Sequence, residues 1–258
     1  PGSDGGIAGA VAGLGDENDR RRTRFIGAKV RSALPEGTFE IVTDLPVPIL
    51  EENALGWLLA GYSFGKYREA RGPKAALVAP DGVDRARLER IVAAEARVRD
   101  LINIPANDMG PAELAAGARD LADQYGATFS VIEGDALLEH GFPLIHTVGR
   151  AAVRKPRLID FKWGEQGPKI TLVGKGVCFD TGGLNLKPGG SMSLMKKDMG
   201  GAANVLGLAQ MIMDSGAEVQ LRVLIPAVEN AVSGDAFRPG EILTSRKGLT
   251  VEINNTDA

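Results

Sequence analysis

Five side chains of this sequence are of the types that divalent-metal chemistry uses, and each sits in a short, mostly glycine-bordered block. Lys175 lies in Gly174-Lys175-Gly176, Asp180 in Phe179-Asp180-Thr181-Gly182-Gly183, and Lys187 in Leu186-Lys187-Pro188. Asp198 lies in Lys197-Asp198-Met199-Gly200-Gly201 and Asp257 in Asn255-Thr256-Asp257-Ala258. One cysteine (Cys178) and two histidines (His140, His146) cannot furnish a cysteine-based or three-histidine zinc site, so a metal here must be held mainly by carboxylates. Two carboxylates about 4 Å apart repel by about 4 kcal/mol at an effective dielectric of about 20. A divalent cation reverses that sign and keeps the acids ionised. Oxygen ligands suit magnesium or manganese, and zinc also accepts them. Taken singly, each residue has a plainer reading. Asp180 before Thr-Gly-Gly suits a turn former, Asp198 a helix N-cap, Lys175 and Lys187 solvated loop lysines, and Asp257 a disordered chain end.

The elements needed to position these residues can be read from periodicity. Strand-like runs are expected at 128–132, 157–161, Lys169–Val173, 219–225 and 249–253, and a short apolar piece then delivers Asp180 into its turn. Helices are expected at 49–64, from a cap at Asp84 with the stripe Leu88, Ile91, Val92, Ala96 and Val98, from Pro111 to Tyr125 with a stop at Gly126, and over Gly200–Asp214. The alternation argues for an α/β protein: a small N-terminal α/β domain over 1–83, then a mixed, mostly parallel sheet covered by helices over 84–258. In such sheets ligands bind beyond the carboxyl ends of the strands. Asp180 and Asp257 follow strand candidates and Asp198 precedes a helix, so the three acids are expected to converge on that edge. The Gly-rich opening, Gly6-Ile7-Ala8-Gly9 to Gly13-Leu14-Gly15, lacks the strand and helix that a dinucleotide loop requires and reads as turn glycine.

In this order and at these separations, the blocks Gly-Lys-Gly-x-x-Phe-Asp-Thr-Gly-Gly, Leu-Lys-Pro, Lys-Asp-Met-Gly-Gly-Ala and Asn-Thr-Asp-Ala resemble the catalytic domain of the leucyl aminopeptidase (cytosol aminopeptidase) family. The likeness covers about residues 85–258, with a looser one through Val11–Gly15 and Leu55–Tyr67. The resemblance implies a metallopeptidase domain with two divalent metals, zinc or manganese, with magnesium or cobalt as alternatives. Asp180 would bridge the metals, Asp198 would bind one and Asp257 the other, and Lys175 would be a ligand through a neutral amine. Lys187 would stay charged and polarise the scissile carbonyl, which metal-bound hydroxide attacks. Met195, Asn255 and Ala258 match pocket-lining positions; Met195 reads equally well as core. The family's motif continues into Glu-Gly-Arg, whose Glu bridges the metals and whose Arg holds a bicarbonate. The chain reads as cut at both ends, between Pro1-Gly2-Ser3 and Ala258, so by itself it is expected to be inactive. The implied activity is release of N-terminal, leucine-like residues from peptide substrates by a homo-oligomer, a hexamer in the family.

Composition narrows the alternatives. A net charge of −3 leaves no electrostatic footprint for nucleic acid, and the run Arg20-Arg21-Arg22 is flanked by Asp16, Glu17 and Asp19 as a solvated face. No stretch approaches the ~20 apolar residues of a membrane span. A single cysteine suits a reducing compartment, hence a cytoplasmic location. Two rivals are weighed. Asp180-Thr181-Gly182 is also the aspartic-protease triplet, but such a site needs a second Asp in a symmetric all-β frame. The other rival is a binding protein with a vestigial metal site.

Overall fold

The computed structural model describes residues 8–258, so Gly6 and Ile7 of the Gly-rich opening lie outside the described residues. The chain forms two compact units, Pro1–Ala93 and Ala94–Ala258. They divide inside a helix that begins at Arg85, and we keep the start of that helix, at 83/84, as our proposal for the domain boundary.

In chain order the first unit holds α1 (Glu17–Arg22), α2 (Ile26–Ala33), β1 (Gly37–Phe39), α3 (Val47–Leu59) and β2 (Ala75–Leu77), with β1 and β2 paired in parallel. Asp16 caps α1, accepting from the Asp19 N–H at 2.9 Å, and the arginine run lies on this exposed turn. Residues 8–16 precede it without regular structure. The helix expected at 49–64 starts earlier, at Val47, and ends earlier, at Leu59. Pro48 is tolerated because the N–H groups of a first helical turn have no partner within the helix, and a proline lacks nothing there.

The second unit continues from α4 (Arg85–Asn103) through α5 (Pro111–Gln124), β3 (Thr128–Glu133), α6 (Ala136–Glu139), α7 (Pro143–Gly149) and β4 (Arg157–Trp163). There follow β5 (Lys169–Val173), β6 (Gly176–Asp180), α8 (Gly189–Met192), a 3-10 turn (Met195–Met199), α9 (Gly200–Asp214), β7 (Gln220–Asn230), β8 (Ile242–Thr244) and β9 (Thr250–Glu252). The expected caps are present: Asp84 accepts from the Arg87 N–H at 2.9 Å, and Gly126 follows α5 with φ +66°. Among the described residues no helix is long and apolar enough to cross a membrane.

The fold is α/β with a mixed sheet. β4 lies between β3 and β7, antiparallel to both, while β5 and β6 run parallel to β7 along its other edge. β5 and β6 are one line of chain interrupted at Gly174-Lys175: Val173 pairs with Leu224, and pairing resumes at Gly176 with Ala227. Pro226 lies opposite this gap and has no N–H to offer a ladder. β7 runs on to Asn230, beyond the 219–225 expected, and its Leu221, Val223, Ile225 and Ala227 all point into the core. There they meet Ile159 and Phe161 of β4, the stripe Leu114, Ala118, Leu121 and Ala122 of α5, and Ala202, Leu206, Ala209 and Met213 of α9. These spacings of three and four place each helix's apolar side chains on one face. Truncating a wholly buried member such as Leu206 to Ala would cost about 2–5 kcal/mol.

One expectation is corrected. The strand expected at 249–253 is β9, and it pairs antiparallel with β8 in a separate two-stranded sheet rather than joining the main one. Asp257 therefore does not reach the site as the end of a main-sheet strand.

Candidate active site

The interruption between β5 and β6 positions Lys175. The first turn of α9 packs directly on the gap, where the Ala202 N–H donates to the Lys175 carbonyl at 2.8 Å. A Cβ on Gly174 would stand 2.6 Å from Val205 Cγ2 and 2.8 Å from the Gly201 carbonyl oxygen, so only glycine allows this approach. Lys175 thus leaves the sheet where the helix begins, and its Nζ lies 3.0 Å from Asp198 Oδ2. It also donates to the Ala258 carbonyl. Asp198 lies in the 3-10 turn, and α9 has no side-chain cap bond, so its helix-cap reading does not hold.

Asp180 ends β6 and is fully buried. Its Oδ1 accepts from the Gly182 N–H and from Asn230 Nδ2, each at 2.8 Å. The first bond is the turn-forming contact expected of an Asp before Thr-Gly-Gly; the turn itself needs Gly182 at φ +87°. Oδ2 accepts no hydrogen bond, although Lys187 Nζ stands 3.2 Å away as an ion partner. Lys187 also donates to Asp257, so one ammonium joins two carboxylates. Its side chain is only 14% exposed, which sets it apart from a solvated loop lysine.

Electrostatics follow from burial. Loss of water around Asp180 pushes its carboxyl up, and the contact with Asp257 adds to this; the Gly182 N–H, Asn230 and Lys187 oppose the shift. Lys187 is pushed up chiefly by its bond to Asp257, against its own partial burial. Asp257 is held below the usual carboxylate range, first by Lys187 and then by Asp180. Two crowded carboxylates that share one ammonium are thus pushed in opposite directions, the buried one up and the more exposed one down.

Asp257 is brought in by polar bonds alone. Thr256 is buried; its N–H donates to Asn185 Oδ1 at 2.9 Å and its hydroxyl donates to the Gly182 carbonyl at 2.7 Å. Its carbonyl accepts from Asn230 Nδ2 at 2.7 Å, and the Asn185 N–H donates back to its hydroxyl at 2.9 Å. Asn185, Asn230 and Thr256 are of residue types that carry no signal of metal chemistry. The local signal is faint: Thr256 lies inside the Asn-Thr-Asp-Ala block, while Asn230 lies 50 residues from the Asp180 it touches.

The structure thus brings the site residues together in two groups, Lys187 with Asp180 and Asp257, and Lys175 with Asp198 and Ala258. Asn255 accepts from the Asp257 N–H at 2.7 Å, and Met195 is half-buried at the start of the 3-10 turn. Among the described residues no three His, Cys, Asp or Glu side chains are drawn together as a ready cation cage, so the three acids do not converge as expected. The two ammonium groups stand among the acids instead. The donor chemistry nevertheless fits divalent cations: Asp180 Oδ2 and Asp198 Oδ2 are buried oxygens that accept no hydrogen bond and are faced by an ammonium alone, Lys187 Nζ at 3.2 Å and Lys175 Nζ at 3.0 Å. The mixed α/β frame is not the symmetric all-β site of an aspartic protease, which removes that rival.

Known proteins resemble this chain in sequence and in fold. The catalytic-domain model of the cytosol aminopeptidase family matches residues 96–258. A probable cytosol aminopeptidase of Methylobacterium radiotolerans is 36% identical over 275 residues, covering 96% of this chain and 54% of that protein. The crystal structure of cytosol aminopeptidase from Coxiella burnetii superposes with a TM-score of 0.85 at 45% identity, covering 90% of this chain and 51% of that one. The bottromycin maturation enzyme BotP in complex with Mn superposes with a TM-score of 0.80 at 32% identity, covering 90% and 52%. The chain spans about half the length of the curated relatives it matches.

Proposed function

This chain belongs to the cytosol aminopeptidase family, and from that premise we propose that the whole protein is a metal-dependent aminopeptidase that releases N-terminal, leucine-like residues from peptides. The observation that carries the reading is the buried Asp180, with one oxygen held by two N–H donors and the other facing only the Lys187 ammonium, at 3.2 Å. Asp180, Asp198, Asp257 and Lys175, the last through an uncharged amine, are the proposed holders of two divalent ions. Manganese, found with BotP, is one candidate and zinc another. Bound there, such ions would supply Lewis acidity and activation of water.

The chain's own residues do the rest. Lys187, held charged by Asp257 and Asp180, offers an N–H to the scissile carbonyl oxygen as negative charge grows on it. The turn at Gly182 and the bonds of Thr256 fix that ammonium against its acids before substrate arrives, so little reorganisation is left for the reaction. Met195, Asn255 and Ala258 are the proposed lining of the pocket for the first side chain. Exposed Leu184, Leu186 and Leu194 on the neighbouring loops support an apolar preference. A homo-oligomeric assembly and a cytoplasmic location are part of the same proposal.

The test uses the full-length protein with leucyl and glutamyl peptide substrates at neutral to alkaline pH. Turnover should require a divalent metal and favour the leucyl substrate. Undiminished turnover after exhaustive chelation would sink the metal-dependent reading. A low-salt gel shift on nucleic acid, expected to be blank, addresses the binding-protein rival.

A further inference from the structure

Asn230 ends β7 directly beside Asp180, which is its partner in the parallel register of β6 and β7. It is almost wholly buried. Its amide nitrogen has two hydrogens and both are used, one to Asp180 Oδ1 at 2.8 Å and one to the Thr256 carbonyl at 2.7 Å. Its own carbonyl accepts from both the N–H and the hydroxyl of Thr181, at 3.0 and 2.9 Å. Asn230 Oδ1 has no partner, yet turning the amide over would set that oxygen against two acceptors, so the orientation is determined by its surroundings.

We propose that Asn230 is a positioning residue of the metal-dependent site, its one amide nitrogen holding Asp180 and the 255–258 segment together so that Oδ2 of Asp180 and the carboxylate of Asp257 face the same point, where the Lys187 ammonium now stands. The inference rests on the reading above that both acids are metal ligands. Asn230 and the Gly182 N–H both occupy Asp180 Oδ1, which leaves Oδ2, faced only by the Lys187 ammonium at 3.2 Å, as the oxygen available to a metal ion. A neutral donor suits the position: an arginine or lysine would compete with a cation, and an acid would repel Asp180. Through Thr256 the same nitrogen restrains the residue next to Asp257, so a single side chain sets the spacing of two proposed ligands. Partners of this kind, which orient a ligand without touching the metal, typically change metal affinity 10–100-fold when removed.

The experiment titrates Mn²⁺ into metal-depleted full-length protein by calorimetry, comparing wild type with Asn230→Ala and with Val223→Ala. Val223 is a buried core residue of the same strand with no polar contact to the site, so its variant reports general loosening. Asn230→Ala is expected to weaken Mn²⁺ binding 10–100-fold, while Val223→Ala loses thermal stability and keeps wild-type affinity. Unchanged affinity in Asn230→Ala, or an equal loss in Val223→Ala, overturns the positioning role and leaves the metal reading standing. If wild type binds no Mn²⁺, the metal reading itself fails and takes this inference with it. If Asn230→Ala does not fold, Asn230→Ser is read by the same criteria, and failure of both to fold makes the residue architectural and overturns the proposal.

Discussion

The two lysines of the site sit 12 residues apart and meet the same kind of partner, yet their surroundings differ. Lys187 is 14% exposed and shared between Asp180, which is wholly buried, and Asp257. Lys175 is 46% exposed and pairs with Asp198 and a backbone carbonyl. In the first group Asp180 is shut away from water although Asp257 is 42% exposed, so the charges couple most strongly through the buried acid. In the second, solvent screens the pair and leaves the lysine free to exchange its partner. The difference teaches that the same residue type is a fixed electrostatic element at one position and an adaptable one at the other. That distinction agrees with the proposed roles of Lys187 as carbonyl stabiliser and Lys175 as ligand.

The harshest challenge to the comparison is Asp180→Ala in the full-length protein. It should abolish metal binding and peptidase activity together, because the buried oxygen that defines the first group is gone; metal analysis showing wild-type content would break the comparison at its root. Lys187→Ala should come next, lowering kcat by about 10²–10³ while metal content stays near wild type, as for loss of one oxyanion stabiliser. A variant that instead loses metal and keeps kcat per bound ion would mean the lysine roles are reversed.

Stability sharpens the contrast. In the metal-free protein Lys187→Ala strips a buried carboxylate of its cation and should cost on the order of 3 kcal/mol in denaturant unfolding. Lys175→Ala removes a half-exposed pair and should cost about 1 kcal/mol or less. Equal losses would show that exposure does not separate the two groups.

The smallest effect lies away from both. Tyr125 donates to Asp214, and burial first, then that bond, push its phenol up to about 12. A group raised in the folded state contributes stability that is complete below its unfolded value of 10.0 and is lost as pH rises toward about 12. Tyrosinate absorbance should therefore show a late-titrating phenol that disappears in Tyr125→Phe, with the site untouched. A simultaneous change in Mn²⁺ affinity would reveal coupling that the contacts do not suggest.

Much of this was legible along the chain. Apolar spacing determined α5 and α9 and the centre of the sheet, because burying one face of a helix or both faces of a strand imposes a short, local period. Asp84, Pro111 and Gly126 marked helix ends, since caps answer to the backbone groups of the adjoining turn. The family, the mixed α/β class and the identity of the lysines and acids were carried by ordered blocks whose residue types cannot be exchanged without losing their chemistry. What only the tertiary structure decided was which of those groups meet. The 249–253 run could equally have joined the main sheet, and the choice of a separate hairpin was made by pairing with β8, which no local period encodes. Asp257 reaches Lys187 through Thr256, Asn185 and Asn230, residues up to 71 positions apart whose amides and hydroxyls fit many surface roles equally well. Their meaning arises only when burial removes water and makes each unpaired donor or acceptor costly, so that the chain settles where all but a few are satisfied.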